Sequence, residues 1–311
     1  MADAPTARVV CLGLATLDAI AVVERLPRSD ERLPAVDGVL AGGGVAATAA
    51  LALARLGVAV AFAGRVGDDA AGASIRDGLA SAGVDVRLLR SVPGRSPFTV
   101  VLVEQSTGAR SLLPVASDVA GIDVDAALVT ACRDATWIHV DHVGYPAVAT
   151  LRAAGVTTPV SLDGGNPIHN LSLDGIELYA PTDAALRDRY PGRGLEDALR
   201  AAIDEGPGTV VATRGRAGSV AAVRDGGEVR IEVAPAADVP IVSTLGAGDV
   251  FHGALLAALV EGHDIATAMR WANAAAALSC GALDGRSAIP SRAELELFLD
   301  ASRTRHAVAG R

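Results

Sequence analysis

Short, wholly apolar runs alternate with Ala- and Leu-rich stretches along most of the chain, and this alternation restricts the fold more than any other feature. Arg8–Gly13 (R-V-V-C-L-G) is a continuous apolar run closed by a glycine. It lacks the polar residue at every second position that a half-exposed strand needs, so it suits a parallel sheet covered on both faces. Gly44–Arg55 is rich in Ala and Leu and stops at Leu56-Gly57, the pattern of a helix ended by glycine. Val58–Ala63 reads as the next strand, Asp69–Ala82 as a helix ended by Gly83, and Val84–Leu89 as a further strand. The order β-α-β-α-β predicts an α/β fold with a doubly wound, mostly parallel sheet flanked by helices.

The same rhythm predicts strands at Thr136–Val140, Pro159–Leu162, Ile176–Ala180 and Thr209–Ala212. Helices are expected at Asp123–Cys132, Pro146–Ala154, Thr182–Arg189, Leu195–Asp204, Gly246–Glu261, Asp264–Cys280 and Ser291–Leu299, the last opened by the capping box Ser291-x-x-Glu294. Gly218–Val223 and Glu228–Val233 flank Asp225-Gly226-Gly227 and read as a hairpin. Two segments break the rhythm, Ala19–Leu40 and Pro97–Pro114. The second holds the runs Phe98–Glu104 and Arg110–Leu113 around Ser106-Thr107-Gly108. Both segments are expected to form antiparallel strands outside the main sheet, a small β lid. Arg303–Arg311 reads as a frayed tail. With no linker or repeat in sight, residues 1–311 are expected to form a single domain.

Composition removes whole classes of chemistry. All 27 basic residues are arginine, so Schiff-base enzymes, Walker A nucleotidases and the protein-kinase β3 lysine are excluded. A net charge of −9 argues against a nucleic-acid partner. No stretch is long and apolar enough to span a membrane, and Met1–Arg8 lacks the order of a signal peptide. Cys11, Cys132 and Cys280 lie far apart in apolar contexts and read as reduced core residues of a cytoplasmic protein. No G-x-G-x-x-G follows the first strand, which argues against a dinucleotide enzyme.

The most informative stretch is Val242-Ser243-Thr244-Leu245-Gly246-Ala247-Gly248-Asp249-Val250-Phe251-His252-Gly253. A Gly-Ala-Gly turn opens a long helix, so unpaired amides of its first turn can face an anion. Asp249 beside such a nest would repel a phosphate, unless it takes the proton of a hydroxyl attacking that phosphate. A first-turn Asp that merely stabilises a helix start explains the same letters.

This segment resembles the D-T-x-G-A-G-D-x-F signature of the ribokinase-like (PfkB) carbohydrate kinases, and further blocks resemble the family in its order. Gly13 and Asp18 resemble its G-x-x-x-x-D. Gly42-Gly43-Gly44 with Ala54-Arg55-Leu56-Gly57 resembles its Gly-Gly signature. Gly64-Arg65-Val66-Gly67-Asp68-Asp69-x-x-Gly72 resembles G-x-V-G-x-D-x-x-G, Gly108-x-Arg110 the lid hairpin, and Thr213-x-Gly215-x-x-Gly218 the nucleotide-binding T-x-G-x-x-G. The resemblance spans roughly Val9 to Phe298. It implies a ribokinase-like fold and transfer of the γ-phosphoryl group of ATP, with Mg²⁺, to a hydroxyl of a sugar. By the same resemblance Asp249 is the general base, and Gly246, Ala247 and Gly248 supply an anion hole. Thr213, Gly215, Gly218 and Asn273 lie along the nucleotide, although Asn273 in an Ala-rich helix can equally be a packing residue. Asp18, Gly43, Gly44, Thr48 and Arg110 line the sugar site. A homodimer through the lid is implied as well.

Departures from the family pattern matter. Ser243 replaces an Asp that often helps hold a monovalent cation, which leaves K⁺ activation open. Thr48 stands where the Gly-Gly signature usually has Asn. The N-x-x-E motif tied to Mg²⁺ falls on Ala180-Pro181-Thr182-Asp183-Ala184-Ala185, so no protein ligand of the metal is named. A weaker similarity to sulfofructose-kinase-type ketose kinases draws attention to arginines near the sugar, with Arg110 the candidate. His139, Asp141, His142, Asp163 and Asn166 stand at predicted strand ends, where α/β sheets bind ligands. Two other readings remain: a nucleoside kinase of the same fold, disfavoured by so few aromatic residues, and a catalytically weak sugar-binding protein.

Overall fold

A computed structural model describes residues 8–106 and 110–309, with side chains through residue 302. The chain runs β1 (Val9–Leu12), β2 (Thr16–Val23), β3 (Asp37–Gly43), α1 (Val45–Arg55), β4 (Val60–Gly67), α2 (Ala70–Ser81), β5 (Leu89–Val92), β6 (Phe98–Glu104) and β7 (Arg110–Val115). It continues through α3 (Ala126–Asp134), β8 (Trp137–Val140), α4 (Ala147–Ala153), β9 (Val160–Asp163), β10 (Leu178–Ala180), α5 (Asp183–Arg189) and α6 (Leu195–Asp204). It closes with β11 (Thr209–Thr213), β12 (Ser219–Asp225), β13 (Glu228–Ala234), α7 (Ala247–Val260), α8 (Ile265–Ser279) and α9 (Arg292–Ala309).

The main sheet has the order β13-β12-β11-β10-β9-β8-β1-β4-β5. It is parallel from β11 to β5, while β12 and β13 pair antiparallel at one edge. β1 shows why its sequence is apolar throughout. Val9 and Cys11 enter the core under α1, α2, α7 and α8, and Val10 and Leu12 enter the core under α3 to α6. Alternate side chains point to opposite faces, so a strand covered on both sides can carry no polar alternation.

A second sheet, β3-β2-β6-β7, is the lid. Its strands reach beyond the expected segments: β2 begins at Thr16 and β3 ends at Gly43. Asp18, Gly42 and Gly43 therefore lie within the lid strands, where the β2–β3 ladder pairs Leu17 with Gly42 and Thr16 with Gly43. β2 and β6 pair in parallel, not antiparallel. The expected turn at Thr107-Gly108 and the segment Met1–Ala7 lie outside the described residues.

Two more expectations need correction. Val84–Leu89 is not the expected strand: residues 84–88 make one bridge, Ala61 to Asp85, and β5 begins only at Leu89. Asp85 Oδ1 accepts from the amide of Arg87, a local turn that bends the chain out of the ladder. At the other end, α9 continues to Ala309 in place of a frayed tail. Its expected capping box is present, with Glu294 accepting from the Ser291 amide at 2.7 Å and Ser291 Oγ accepting from the Glu294 amide at 3.4 Å.

Candidate active site

The parallel strands end on one rim of the sheet, and the start of α7 faces the same rim. Gly246 adopts φ 71°, and a Cβ there would lie 2.9 Å from Gly285 Cα, so a side chain is excluded on both counts. α2, α3, α5 and α8 are each capped by a side chain, from Asp69, Asp125, Thr182 and Asp264. α7 has no such cap. The Ala247 amide reaches Thr244 O at 3.4 Å, and the amides of Gly246, Gly248 and Asp249 have no partner among the described residues. Open donors at a helix start, with the positive end of the helix dipole, form an anion site.

Asp249 stands in the first turn of that helix. Burial pushes its carboxyl well above the usual carboxylate range, and the carboxylates of Asp163, Asp141 and Asp18 push the same way. The Arg286 guanidinium opposes them. One turn on, His252 Nε2 lies 3.1 Å from Asp163 Oδ2, with both side chains buried. Burial holds His252 and His139 down at about 3, so both imidazoles are neutral near pH 7. Their rings lie 5.7 Å apart, and His139 Nδ1 lies 3.3 Å from Ser161 Oγ. Among the described residues no group of three or more His, Cys, Asp or Glu is arranged to hold a metal.

The neighbouring carboxylates have different work. Asp141 accepts from the amides of Leu14 at 2.8 Å and Ala46 at 3.1 Å, and from those of Val143 and Gly144. It ties the β1–β2 turn and the start of α1 to the end of β8, which makes it an anchor and leaves it little freedom for a ligand. Asp163 accepts from the Gly165 amide at 2.8 Å, and Asn166 is exposed.

Beside Asp249, the lid and α1 shape a second part of the cleft. Asp18 on β2 is buried and accepts from Thr16 Oγ1 at 2.7 Å. Burial raises its pKa, with Thr16, Arg286 and Thr99 pulling it back. A Cβ on Gly43 would sit 2.0 Å from Asp18 Oδ2, and Gly44, at φ 94°, would collide with Leu14 O at 2.4 Å. The two glycines therefore make room for that carboxylate and for the β1–β2 turn. Thr48 is 2% exposed and its Oγ1 accepts from Arg286 Nε at 3.0 Å. Arg286 is the residue that sequence reasoning missed. It is the one basic residue between Arg270 and Arg292, in otherwise small and apolar company (A-L-D-G-R-S-A-I-P), and that isolation was the available signal.

On the other flank, Thr213 ends β11, and a 3-10 turn at Gly215–Ala217 leads to β12. Gly218, at φ 83°, could carry no side chain, since a Cβ would lie 2.1 Å from Ala234 O. Asn273 Nδ2 donates to Ser219 Oγ, Ala234 O and Pro235 O, each at 3.1 Å. Its N–H groups are thus committed to clamping the β12–β13 hairpin onto α8, the packing alternative, and its carbonyl oxygen is what remains for a ligand. Arg110 of the lid hydrogen-bonds Thr244 Oγ1 and stays exposed, so it meets the signature segment. Ser243 Oγ accepts from the Leu245 amide at 3.2 Å, a turn contact. Asp183 pairs with Arg187 at 2.8 Å on the surface of α5, away from any substitute role for the N-x-x-E motif.

Comparison with known proteins identifies the family and the fold. The chain matches the pfkB family carbohydrate kinases over residues 6–160 and 177–292. It is 32% identical to the ribokinase of Arabidopsis thaliana, with 93% of this chain and 79% of that protein covered. It is also 32% identical to the ATP-dependent ribose-1-phosphate kinase of Halopiger xanaduensis, over 94% of this chain and 98% of the relative. The structure of the Arabidopsis ribokinase complexed with ribose and ATP superposes with a TM-score of 0.81 at 28% identity, covering 94% of this chain and 99% of that one. The chain belongs to the pfkB family of carbohydrate kinases, and its fold is ribokinase-like.

Proposed function

We propose that this kinase transfers the γ-phosphoryl group of ATP to a sugar hydroxyl held between Asp18 and Asp249. The observation that carries the reading is the uncapped start of α7 beside Asp249: open amides and a carboxylate would face the same reacting group. Asp249 takes the hydroxyl proton as the oxygen attacks the γ-phosphorus. The bond from that phosphorus to the β-bridging oxygen breaks, and ADP leaves. The amides of Gly246, Ala247 and Gly248 donate to the oxygens of the transferring group. Loss of one such donor costs about 3 kcal/mol of barrier in acyl-transfer oxyanion holes. Thr213, Gly215 and Gly218 border the nucleotide phosphates, with Asn273 behind them.

Mg²⁺ supplies charge neutralisation to the phosphates when bound. The protein offers no cage for it among the described residues, which fits an ion that arrives on the nucleotide and keeps most of its water. Ser243 Oγ is engaged in its turn, and activation by K⁺ is decided by comparing rates with and without KCl. The named relatives are a ribokinase and a ribose-1-phosphate kinase, so pentoses and their phosphates are the first substrates to offer.

Cys11, Cys132 and Cys280 are free and buried, and burial pushes the Cys132 thiol up to about 12. Inert, unpaired thiols suit a cytoplasmic enzyme. Among the described residues no helix is long and apolar enough to cross a membrane.

The deciding experiment is ADP release with MgATP over ketoses, aldoses, sugar acids, sulfosugars and nucleosides. Asp249→Asn is expected to lower kcat by about 10²–10⁴ on the best substrate. An unchanged kcat removes Asp249 from the base role. Sugars that raise Tm without any turnover favour the sugar-binding reading, and preference for a nucleoside favours the nucleoside kinase.

A further inference from the structure

Arg286 lies between α8 and α9 and is 8% exposed. Its Nε donates to Thr48 Oγ1 at 3.0 Å and its Nη2 to Gly43 O at 2.5 Å. Both acceptors are neutral, and among the described residues the guanidinium makes no ion pair within 4.0 Å, although Asp18 and Asp249 act on it at longer range. Nη1 has no hydrogen-bond partner among the described residues. It occupies the space a side chain at position 42 would fill, since a Cβ on Gly42 would sit 2.3 Å from it.

A buried, weakly paired cation is costly. A neutral amide could hold the Gly43 carbonyl and the Thr48 hydroxyl without that cost, so these two bonds do not account for the charge. Burial still draws Arg286 down to about 10 despite Asp18, Asp249 and Asp284, which means that those carboxylates offset its desolvation only in part. What the guanidinium lacks is a close oxyanion on its open Nη1 side, and that side belongs to the part of the cleft shaped by Gly42, Gly43, Asp18 and Thr48. Planar N–H donors in a fork are suited to carboxylate, sulfonate and phosphate oxygens.

We propose that Arg286 is a specificity-determining residue of the acceptor site and receives an oxyanion substituent (phosphate, sulfonate or carboxylate) carried by the sugar. Arg110, exposed and bonded to Thr244, does not have this role. The proposal deepens the kinase reading above and rests on it.

The test measures kcat/KM for matched pairs with MgATP: ribose against ribose 1-phosphate and ribose 5-phosphate, fructose against fructose 6-phosphate and 6-deoxy-6-sulfofructose, and glucose against gluconate. The pairs separate phosphate, sulfonate and carboxylate as the source of the oxyanion. At least one charged sugar is expected to exceed its neutral counterpart about thirtyfold, through KM. Arg286→Gln keeps donors for Gly43 and Thr48 but loses the charge. It is expected to lower that ratio by a similar factor, with Arg286→Lys in between. Neutral sugars preferred by the unaltered enzyme overturn the inference and leave the kinase reading standing, and this comparison needs no variant. A ratio unchanged in folded Arg286→Gln overturns it too. Failure of every sugar, charged and neutral, overturns the kinase reading and the inference with it.

Discussion

At the scale of single residues, Asp249 carries a conflict between stability and activity. Its carboxyl is crowded by Asp163, Asp141 and Asp18, and burial raises its pKa above the unfolded value. The folded state therefore holds this proton more tightly than the unfolded chain. Stability falls as pH rises from the unfolded pKa through the raised folded one, and above it the full penalty remains. Asp249→Asn removes that penalty, so a Tm above that of the unaltered protein is expected at neutral pH, by roughly 2 °C per kcal/mol relieved. Scanning calorimetry at pH 5 and pH 8 checks it: the gain should be larger at pH 8. In the proposed mechanism Asp249 acts ionised, so kcat/KM should rise with pH along a limb displaced upward from the ordinary carboxylate range. A flat profile down to pH 4 would contradict the crowding. The helix start that carries Gly246 to Asp249 was legible in the sequence because it is local, a turn and a first helical turn within a few letters. Arg286 was not, because its partner Thr48 is 238 positions away and only folding brings the two together.

At the scale of elements, the block Gly64–Gly72 shows how a motif read for function can be architecture. Asp69 caps α2 by accepting from the Gly72 amide at 2.8 Å, and also accepts from the Ser96 amide at 3.0 Å and Ser96 Oγ at 2.5 Å. These bonds hold its carboxyl below the usual range. A Cβ on Gly67 would strike Gly94 O at 2.2 Å, and one on Gly72 would strike Gly67 O at 2.1 Å. The block thus fastens the end of β4 and the start of α2 to the loop that delivers lid strand β6. Asp69→Ala is expected to cost about 1–2 kcal/mol in urea unfolding and to raise the sugar KM more than the ATP KM, because the lid is loosened. Equal effects on both would show that the lid does not depend on this clasp. Most helices were legible to within three residues, Leu195–Asp204 without error, while the end of α9 was missed. The lid strands were harder, since β2 and β6 are distant in sequence and their pairing is set by tertiary contacts, not local propensity.

At the scale of the whole molecule, the two large cores and the lid are unequal partners. The lid has a thin core of its own, Ile20, Val101 and Val103, packed on Leu245 and Leu283. Its outer strands leave Val39, Leu40, Leu112, Leu113 and Val115 exposed, Leu40 by 68%. Apolar side chains gathered on two strands of one small sheet are more than scattered surface residues, and each lid edge also presents unpaired backbone donors and acceptors. A second copy of the chain, meeting this lid through its own, would cover both and give a closed two-fold pair. Sedimentation velocity at micromolar concentration is expected to show a dimer. Leu40→Glu with Leu112→Glu should return it to a monomer while leaving the far-UV spectrum unchanged, because neither side chain enters a core. Since β2 carries Asp18, the monomer should also bind sugar more weakly than the dimer, with ATP binding little altered. A monomer in the unaltered protein, or a dimer that survives both glutamates, would assign the exposed strands no part in assembly. The linkage expected is physical: a second copy seated on the lid would steady this thinly packed sheet, and Asp18, carried on β2, with it.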